Sequence, residues 1–250
     1  MSRLPESRGG RQRRQMLHTA DLHLDSLRDE ACACLKALVD VAIDHRVDLV
    51  IIAGDLFDHN KVADELVSFV ADQLGRLSVP VVVLPGNHDC LVPGSVLKRL
   101  EGCGHSGNIR VIAAPQGETV ELPELGVSLW GKSFDSHDGE VRPLGGMPRS
   151  QSDGQWNVAI AHGYFVGAGP PLFPSYHITR EEIAVSGWDY IALGHVPVFR
   201  CVSQEPVAYY CGSPSVSGTV ALVELDDGSG VRVTRCVLSN VRGARKRGKK

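Results

Sequence analysis

The sequence predicts an α/β protein in which a parallel β-sheet packs against a second β-sheet, with helices on the outside. Two continuous apolar runs, "VDLVIIAGD" (47–55) and "VPVVVLPGNHD" (79–89), are typical of strands buried on both faces. A helical pattern separates them, and this alternation indicates right-handed crossovers within a parallel sheet. Beyond Ile109 the strands become shorter and helical patterns become rare, which predicts a second sheet of mixed or antiparallel strands.

Each predicted element has a local signal in the sequence. The first strand lies in "QMLHTADLHL" (15–24) and ends near Asp21, and helices with apolar residues at helical spacing follow at about 27–46 and 62–77. The polar segment 134–155 is long enough to form a rim or lid. In the second half we expect one helix near 180–185 and strands near 109–113, 118–122, 126–131, 156–161, 188–193, 206–211, 218–225 and 231–237.

Composition limits the class of protein. With 250 residues, 43% of them hydrophobic, the chain can form one large domain or two small ones. No run of about 18 apolar residues occurs, so the sequence offers no membrane span. The charged N-terminus lacks the apolar stretch of a secretory signal. The seven cysteines are irregularly spaced without a CxxC pair, so we expect reduced thiols and a cytoplasmic protein.

Basic residues are concentrated at the two ends of the chain. Residues 1–14 and 242–250 together hold eleven basic residues and one acidic residue, so the rest carries a net charge of −13 although the whole chain carries −3. We expect disordered basic tails at 1–14 and 241–250. An acidic body suits cation binding, and basic tails suit nonspecific phosphate contacts. Tails that serve only to solubilise the protein would explain the same pattern.

Polar residues collect where the predicted strands end. Five separate apolar strands deliver such residues at their carboxyl ends, and ligands of open α/β sheets bind in the crevice beyond those ends. These residues are Asp21, His23, Asp55, Asn87, His88, Asp89, His162 and His195. Taken singly, each has an ordinary explanation as a turn residue or a structural histidine. Their shared position after buried strands favours a site.

The residue types in this set are those of a divalent metal site. Carboxylate, amide oxygen and imidazole suit Mn²⁺, Fe²⁺ or Zn²⁺, and no thiolate is offered. Asp21 and His23 are two residues apart, so both can reach one ion. Asp55 follows a glycine at a strand end, and a single carboxylate there can bridge two ions about 3.5–4 Å apart.

The order of these motifs resembles the calcineurin-like metallophosphoesterases. The matching stretches are "DLH" (21–23), "GD" (54–55), "GNHD" (86–89), "AHG" (161–163) and "GHVP" (194–197), within roughly residues 15–215. "LHTADLHLDS", "DLVIIAGDLFD", "VLPGNHD", "WDYIALGH" and "YYCGSPS" further resemble the SbcD-type DNA-repair exonucleases. The resemblance implies a metallophosphoesterase domain over 15–240. Its fold would be a four-layer α/β/β/α sandwich of two mixed sheets flanked by helices.

The resemblance also implies roles for individual residues. A first metal ion would be held by Asp21, His23 and Asp55. A second would be held by Asp55, Asn87, His162 and His195. A hydroxide between the two ions, most simply Mn²⁺ with Fe²⁺ or Zn²⁺ as alternatives, would attack phosphorus in line. His88 would protonate or stabilise the leaving oxygen, and Asp89 would orient His88.

The chain departs from the family pattern at Pro197. The family reads Gly-His-x-His at this point, so His195 matches the first histidine and Pro197 occupies the place of the second. The first ion would keep three protein ligands and water, as catalytic metals commonly do. His18 and His59 are candidates to replace the missing ligand. A one-metal or inactive relative is the alternative.

A second departure concerns length and partners. SbcD-type nucleases continue into a DNA-binding cap and a segment that docks an SMC-like ATPase, whereas we expect this chain to lack both. The leading hypothesis is a phosphodiesterase acting on DNA, as an exonuclease or endonuclease. The alternatives are a phosphoesterase of small nucleotides or other phosphodiesters, and a non-catalytic binding module favoured by Pro197.

Overall fold

Two six-stranded β-sheets form the centre of the protein, as the sequence predicts. The structure is a computed structural model that describes residues 10–103, 107–149, 154–167, 175–184 and 187–239. Helices α1–α4 span Glu30–Asp44, Asp64–Gly75, Val96–Cys103 and Arg180–Ala184. Strands β1–β14 span Arg14–Thr19, Leu49–Ala53, Val81–Leu84, Ile109–Val111, Glu118–Leu122, Val127–Gly131, Trp156–His162, Tyr164–Val166, His177–Thr179, Tyr190–Gly194, Phe199–Gln204, Val207–Cys211, Thr219–Asp226 and Gly230–Val237.

Both sheets combine a set of parallel strands with antiparallel strands at one or both edges. The first has the order β14-β13-β1-β2-β3-β4, in which β1 to β4 are parallel and β13 is antiparallel to β1. The second has the order β11-β12-β10-β7-β6-β5, in which β12, β10, β7 and β6 are parallel and the two edge strands are antiparallel. The carboxyl ends of the central strands therefore share one edge in each sheet.

The assignment of strands to sheets needs one correction. We expected the strands beyond Ile109 to form the second sheet, but β4, β13 and β14 belong to the first. Pairing with β13 covers the edge that β1 would otherwise leave open, and an unpaired edge is a liability. Helix α3 and strands β8, β9 and β11 were not predicted, since each is short or only partly buried.

Three apolar layers hold the sheets and helices together. The two sheets enclose a shared core that includes Met16, Ile51, Trp156 and Val158. Helices α1, α2 and α3 cover the outer face of the first sheet with a second core. The short helix α4, with its buried Ile183, is part of the cover of the second sheet. The predicted four-layer sandwich is confirmed, with a fourth layer that contains little helix.

Part of the predicted N-terminal tail is packed against the body. The guanidinium of Arg11 lies 3.6 Å from the ring centroid of Trp156 and pairs with Asp189 at 2.9 Å and Asp227 at 2.8 Å. Residues 10–14 therefore do not belong to a disordered tail. Residues 1–9 and the predicted tail at 241–250 lie outside the described residues.

Among the helices that the structure describes, none is both long enough and apolar enough to cross a membrane.

Candidate metal centre

The ends of five strands meet at one edge of the sandwich. Strands β1, β2 and β3 come from the first sheet, and β7 and β10 come from the second. The sheets approach so closely here that a Cβ on Gly194 would lie 1.8 Å from the carbonyl oxygen of Ala53. A Cβ on Gly54, whose φ is 90°, would lie 2.1 Å from Nδ1 of His162. Both positions therefore need glycine, and this close contact lets residues from the two sheets build one site.

The backbone at this edge is strained at four functional residues. Asp21, His23, Asp55 and His195 have φ values of 56°, 52°, 51° and 89°. Residues other than glycine rarely adopt this left-handed region, and each such residue costs about 1–3 kcal/mol unless its surroundings enforce it. Hydrogen bonds from the amide of Asp21 to the Gly54 carbonyl at 3.1 Å, and from the amide of His195 to the Asp21 carboxylate at 3.0 Å, supply that enforcement.

Four donor atoms face each other on the side of the second sheet. Nε2 of His162 lies 3.2 Å from Oδ2 of Asp55 and 3.1 Å from Oδ1 of Asn87. Nδ1 of His195 lies 3.1 Å from the same Asn87 oxygen and 3.3 Å from His162 Nε2. Ligands bound at about 2.1 Å to one ion lie roughly 3.0–3.4 Å apart. The four predicted ligands of the second ion therefore have the spacing of a coordination shell.

The three predicted ligands of the first ion also lie together, but more loosely. Ligand atoms of Asp21, His23 and Asp55 fall within 4.8 Å of one another. Nε2 of His23 is 3.7 Å from Oδ2 of Asp55, the oxygen that also faces His162. Asp55 thus contributes to both groups, as expected for a bridging carboxylate. Carboxylate and imidazole atoms without thiolate fit Mn²⁺, Fe²⁺ or Zn²⁺.

The buried carboxylate of Asp55 favours the protonated form of His162. Burial by itself would lower the pKa of His162, but the charge and hydrogen bond of Asp55 raise that pKa to about 9. Burial would likewise raise the pKa of Asp55, yet the opposing His162 charge holds it well below its usual range. The site is therefore built around a buried negative charge that attracts positive charge.

Burial shifts the pKa values of two further donors toward their neutral forms. Burial raises the pKa of Asp21 to about 7, with the nearby His162 opposing that shift. Burial and then the His162 charge lower the pKa of His195 to about 4. His195 thus offers a neutral imidazole, the form in which histidine binds metals.

His88 lies beside the first group of donors and is held there by Asp58. Its Nδ1 donates to the carbonyl oxygen of Asp58 at 2.8 Å, which leaves Nε2 for a substrate. The carboxylate of Asp58 lies 3.1 Å from Nδ1 of His23, and the His23 and His88 rings are 4.6 Å apart. Asp58 therefore orients both imidazoles, and our sequence analysis did not identify it. The signal was present in "GDLFD", where Asp58 follows Asp55 by three residues.

Asp89 requires a correction. We expected it to orient His88, but its carboxylate accepts hydrogen bonds from the amides of Leu56 at 2.9 Å, Phe57 at 3.2 Å and Gly86 at 2.7 Å. It is fully buried, and burial followed by the charge of Asp55 raises its pKa to about 6. Asp89 therefore joins the loops after β2 and β3, and the contact with His88 comes from Asp58.

The two residues suggested as substitutes for the missing histidine are occupied elsewhere. Nδ1 of His18 lies 2.8 Å from the hydroxyl of Tyr190 inside the core, and Nε2 of His59 pairs with Asp25 at 3.0 Å. The segment expected to form a rim does approach the site, since Nδ1 of His137 donates to the carbonyl of Asn87 at 2.9 Å.

Comparison with known families agrees with this geometry. The model of the calcineurin-like phosphoesterase family matches residues 15–199. The chain belongs to this family. Its members are hydrolases that use divalent metal ions, and the grouped carboxylates and imidazoles at the strand ends are consistent with that chemistry.

Two curated relatives cover most of the chain. The metallophosphoesterase YhaO of Bacillus subtilis is 27% identical over 221 residues, which are 79% of this chain and 52% of the relative. The DNA double-strand break repair protein Mre11 of Methanopyrus kandleri is 27% identical over 203 residues, 74% of this chain and 44% of the relative. The chain thus spans about half the length of these relatives, and the resemblance expected from its motifs is confirmed.

Solved structures share the fold. The protein TT1561 of Thermus thermophilus has a TM-score of 0.60 at 11% identity, covering 90% of this chain and 99% of that one. The purple acid phosphatase PPD1 of yellow lupin (Lupinus luteus) seeds has a TM-score of 0.56 at 12% identity, covering 94% and 53%. At these identities the likeness concerns architecture alone.

Proposed function

We propose that this phosphoesterase cleaves phosphodiester bonds of DNA, as an exonuclease or structure-dependent endonuclease of the SbcD type, with two divalent ions, of which Mn²⁺ is the first to test. The observation that carries the proposal is the meeting of six donor side chains from five strands, with Asp55 common to both groups. The likeness to an Mre11 repair protein favours DNA as the substrate.

The two groups of donors divide the work of holding cations. Asp55, Asn87, His162 and His195 form the tighter group, and Asp21 and His23 complete the looser one with Asp55. Divalent ions held there would supply charge that polarises the phosphoryl group and makes water nucleophilic at neutral pH. The wider spacing of the looser group suits an ion that binds water where the family's second histidine, replaced here by Pro197, would bind.

His88 is the proton donor in this proposal. Since its Nδ1–H is bonded to the carbonyl of Asp58, a proton delivered to the leaving oxygen would come from Nε2. About two fifths of the His88 side chain is exposed, so a substrate can reach it. Asp58 would stabilise the protonated ring, because its carboxylate lies 3.5 Å from His88 Nδ1.

Three further expectations stay predictions. The doubt about an SMC-like ATPase partner is one, and the chain matches only about half of each curated relative. Contacts of the basic tails with DNA phosphates and a cytoplasmic location are the others.

The non-catalytic alternative is favoured by Pro197 alone. Against it stand Asp55 and His162, which are almost fully buried and carry opposite charges. Buried charges cost several kcal/mol unless they are paired well, and a module that binds partners through its surface has no physical need for them.

The test is cleavage of end-labelled single- and double-stranded DNA in Mn²⁺, with a small chromogenic phosphodiester as competitor. Wild-type protein should cleave DNA, Asp55→Asn should not, and Asp40→Asn, at an exposed position on α1, should behave as wild type. Hydrolysis of the small phosphodiester without cleavage of DNA would reassign the substrate class. No hydrolysis of either would indicate a binding module.

A further inference from the structure

A loop rich in hydroxyl groups lies directly behind the first group of donors. The hydroxyl loop, residues 212–219, has the sequence "GSPSVSGT", with a serine or threonine at every second position from Ser213 to Thr219. The loop includes part of the motif "YYCGSPS", but the proposed chemistry gives it no role. Its position in the structure provides one.

Ser213 binds the backbone of Asp21. Its hydroxyl donates to the Asp21 carbonyl oxygen at 2.6 Å and accepts from the amide of Val216 at 3.1 Å. Ser215 adds a longer contact of 3.3 Å to the same carbonyl. Ser213 and Asp21 are 192 residues apart in sequence, and Ser213 is fully buried. A buried carbonyl needs such a partner, because an unpaired one costs about 1–3 kcal/mol.

The contact acts on a residue whose conformation is strained. Asp21 has a φ of 56°, and its carboxylate accepts the amide of His195 at 3.0 Å. The amide of Asp21 is fixed by Gly54, and its carbonyl is fixed by Ser213. With both sides of the residue held, the carboxylate lies within 4.8 Å of ligand atoms of His23 and Asp55.

We propose that Ser213 is a positioning residue that holds Asp21 in its left-handed conformation and thereby aims the Asp21 carboxylate at the first ion. The inference rests on the proposed metal centre, which it deepens. The position of Asp21 is important in this chain because Pro197 leaves the proposed first ion with three protein ligands. The binding of that ion then depends more strongly on the placement of each ligand. Partners that orient metal ligands typically change metal affinity by about 10–100-fold when removed.

The loop itself offers a matched control. Thr219 is as buried as Ser213, and its hydroxyl also donates to a backbone carbonyl, that of Cys211 at 3.2 Å. Ser213→Ala and Thr219→Val therefore each remove one buried hydroxyl group from the same loop. Only the first removes a contact with Asp21.

The experiment compares these variants by two measurements. In EDTA, amide hydrogen exchange at His195 reports whether the Asp21 carboxylate stays in place, and we expect Ser213→Ala to accelerate it about tenfold or more. In a calorimetric titration with Mn²⁺, Ser213→Ala should weaken the weaker class of sites about 10–100-fold. Thr219→Val should stay within about twofold of wild type in both. Should Ser213→Ala fail to fold, Ser215→Ala, at a partly exposed position, should change both quantities in the same direction by a smaller factor.

Two results would overturn the inference: equal exchange and affinity in Ser213→Ala and wild type, or equal changes in Ser213→Ala and Thr219→Val. Failure of the wild type to bind Mn²⁺ would refute the proposed metal centre instead. Exchange at His195 would still decide the role of Ser213, since that measurement needs no metal.

Discussion

Replacing Asp55 by asparagine tests the electrostatic design of the site most directly. The change keeps size and shape, and the asparagine oxygen can still accept the amide of His88, which lies 2.9 Å from Oδ1. It removes the negative charge that faces His162 at 3.2 Å and His23 at 3.7 Å. Two effects should follow, one on the metal-free protein and one on metal binding.

The first effect is a pH-dependent loss of stability. The pKa of His162 is raised from 6.5 to about 9, chiefly by Asp55 acting against burial, which corresponds to roughly 3 kcal/mol at about 1.36 kcal/mol per pH unit. The folded protein binds this proton more tightly than the unfolded chain. The contribution is therefore complete below pH 6.5 and is lost as the pH rises through about 9. Neutral His162 donates from Nδ1 to the carbonyl of Ala53, so its Nε2 can accept from the new amide.

The second effect is a loss of metal-induced stabilisation. An ion that binds only the folded state stabilises it by about 2.7 kcal/mol at a concentration of 100 times its Kd. Asp55 belongs to both groups of donors, so the variant should lose most of this gain whichever ion binds first. Hydrolysis should fall below detection for the same reason.

The assay is urea unfolding in EDTA at pH 6, 7.5 and 9.5, followed by thermal unfolding with and without Mn²⁺. We expect the gap in unfolding free energy between wild type and Asp55→Asn to be about 3 kcal/mol at pH 6 and to close above pH 9. Asp40→Asn, which removes an exposed carboxylate, serves as the control. A gap that does not change with pH would refute the charged pair. Full stabilisation of Asp55→Asn by Mn²⁺ would refute the shared ligand.

Three further changes test other parts of the site. Pro197→His should tighten the weaker Mn²⁺ class about tenfold in a calorimetric titration by adding a fourth ligand, and an unchanged titration would mean that another group already fills this place. Asp58→Asn should weaken Mn²⁺ binding about 10–100-fold, because His23 loses the carboxylate that orients it, whereas unchanged affinity would leave Asp58 without that role. Burial lowers the pKa of His18 to about 3, so its share of stability is present above pH 6.5 and is lost as the pH falls toward 3. His18→Gln should remove that acid-induced loss of unfolding free energy, measured by urea unfolding. Parallel curves of unfolding free energy against pH for wild type and variant would contradict this expectation.

The sequence predicted most of the donors because their signal is local. Apolar runs that end in Asp21, Asp55, Asn87, His162 and His195 are visible within about ten residues each, and parallel strands bring their carboxyl ends to one edge. Asp55, whose Oδ2 faces both His23 and His162, could be proposed as a shared ligand for the same reason. Predicting that these residues share an edge did not require knowing which strands are neighbours in the sheets.

The remaining contacts could not be predicted because they join distant segments. Ser213 meets Asp21 across 192 residues, and β13 pairs with β1 although their sequences carry no mark of the partner. Asp89 was assigned the wrong contact because its neighbour in sequence, His88, points to Asp58 instead. Side-chain direction in a loop depends on the backbone bonds that fix it, and three amides fix Asp89.

The strain at the strand ends bears on whether Pro197 disables the centre. Four of the residues that meet there hold left-handed backbone conformations, each at a cost of about 1–3 kcal/mol. Three of these, Asp21, His23 and Asp55, are the residues proposed to bind the first ion. If the absence of the second histidine had abolished ion binding, the strained backbone conformations of the remaining donors would have no physical function. The strain is instead enforced by hydrogen bonds with Gly54 and Ser213, which hold Asp21 in place. Because these bonds hold Asp21 in place, we expect the three donors to bind an ion without the missing histidine, so that Pro197 would change affinity rather than abolish function.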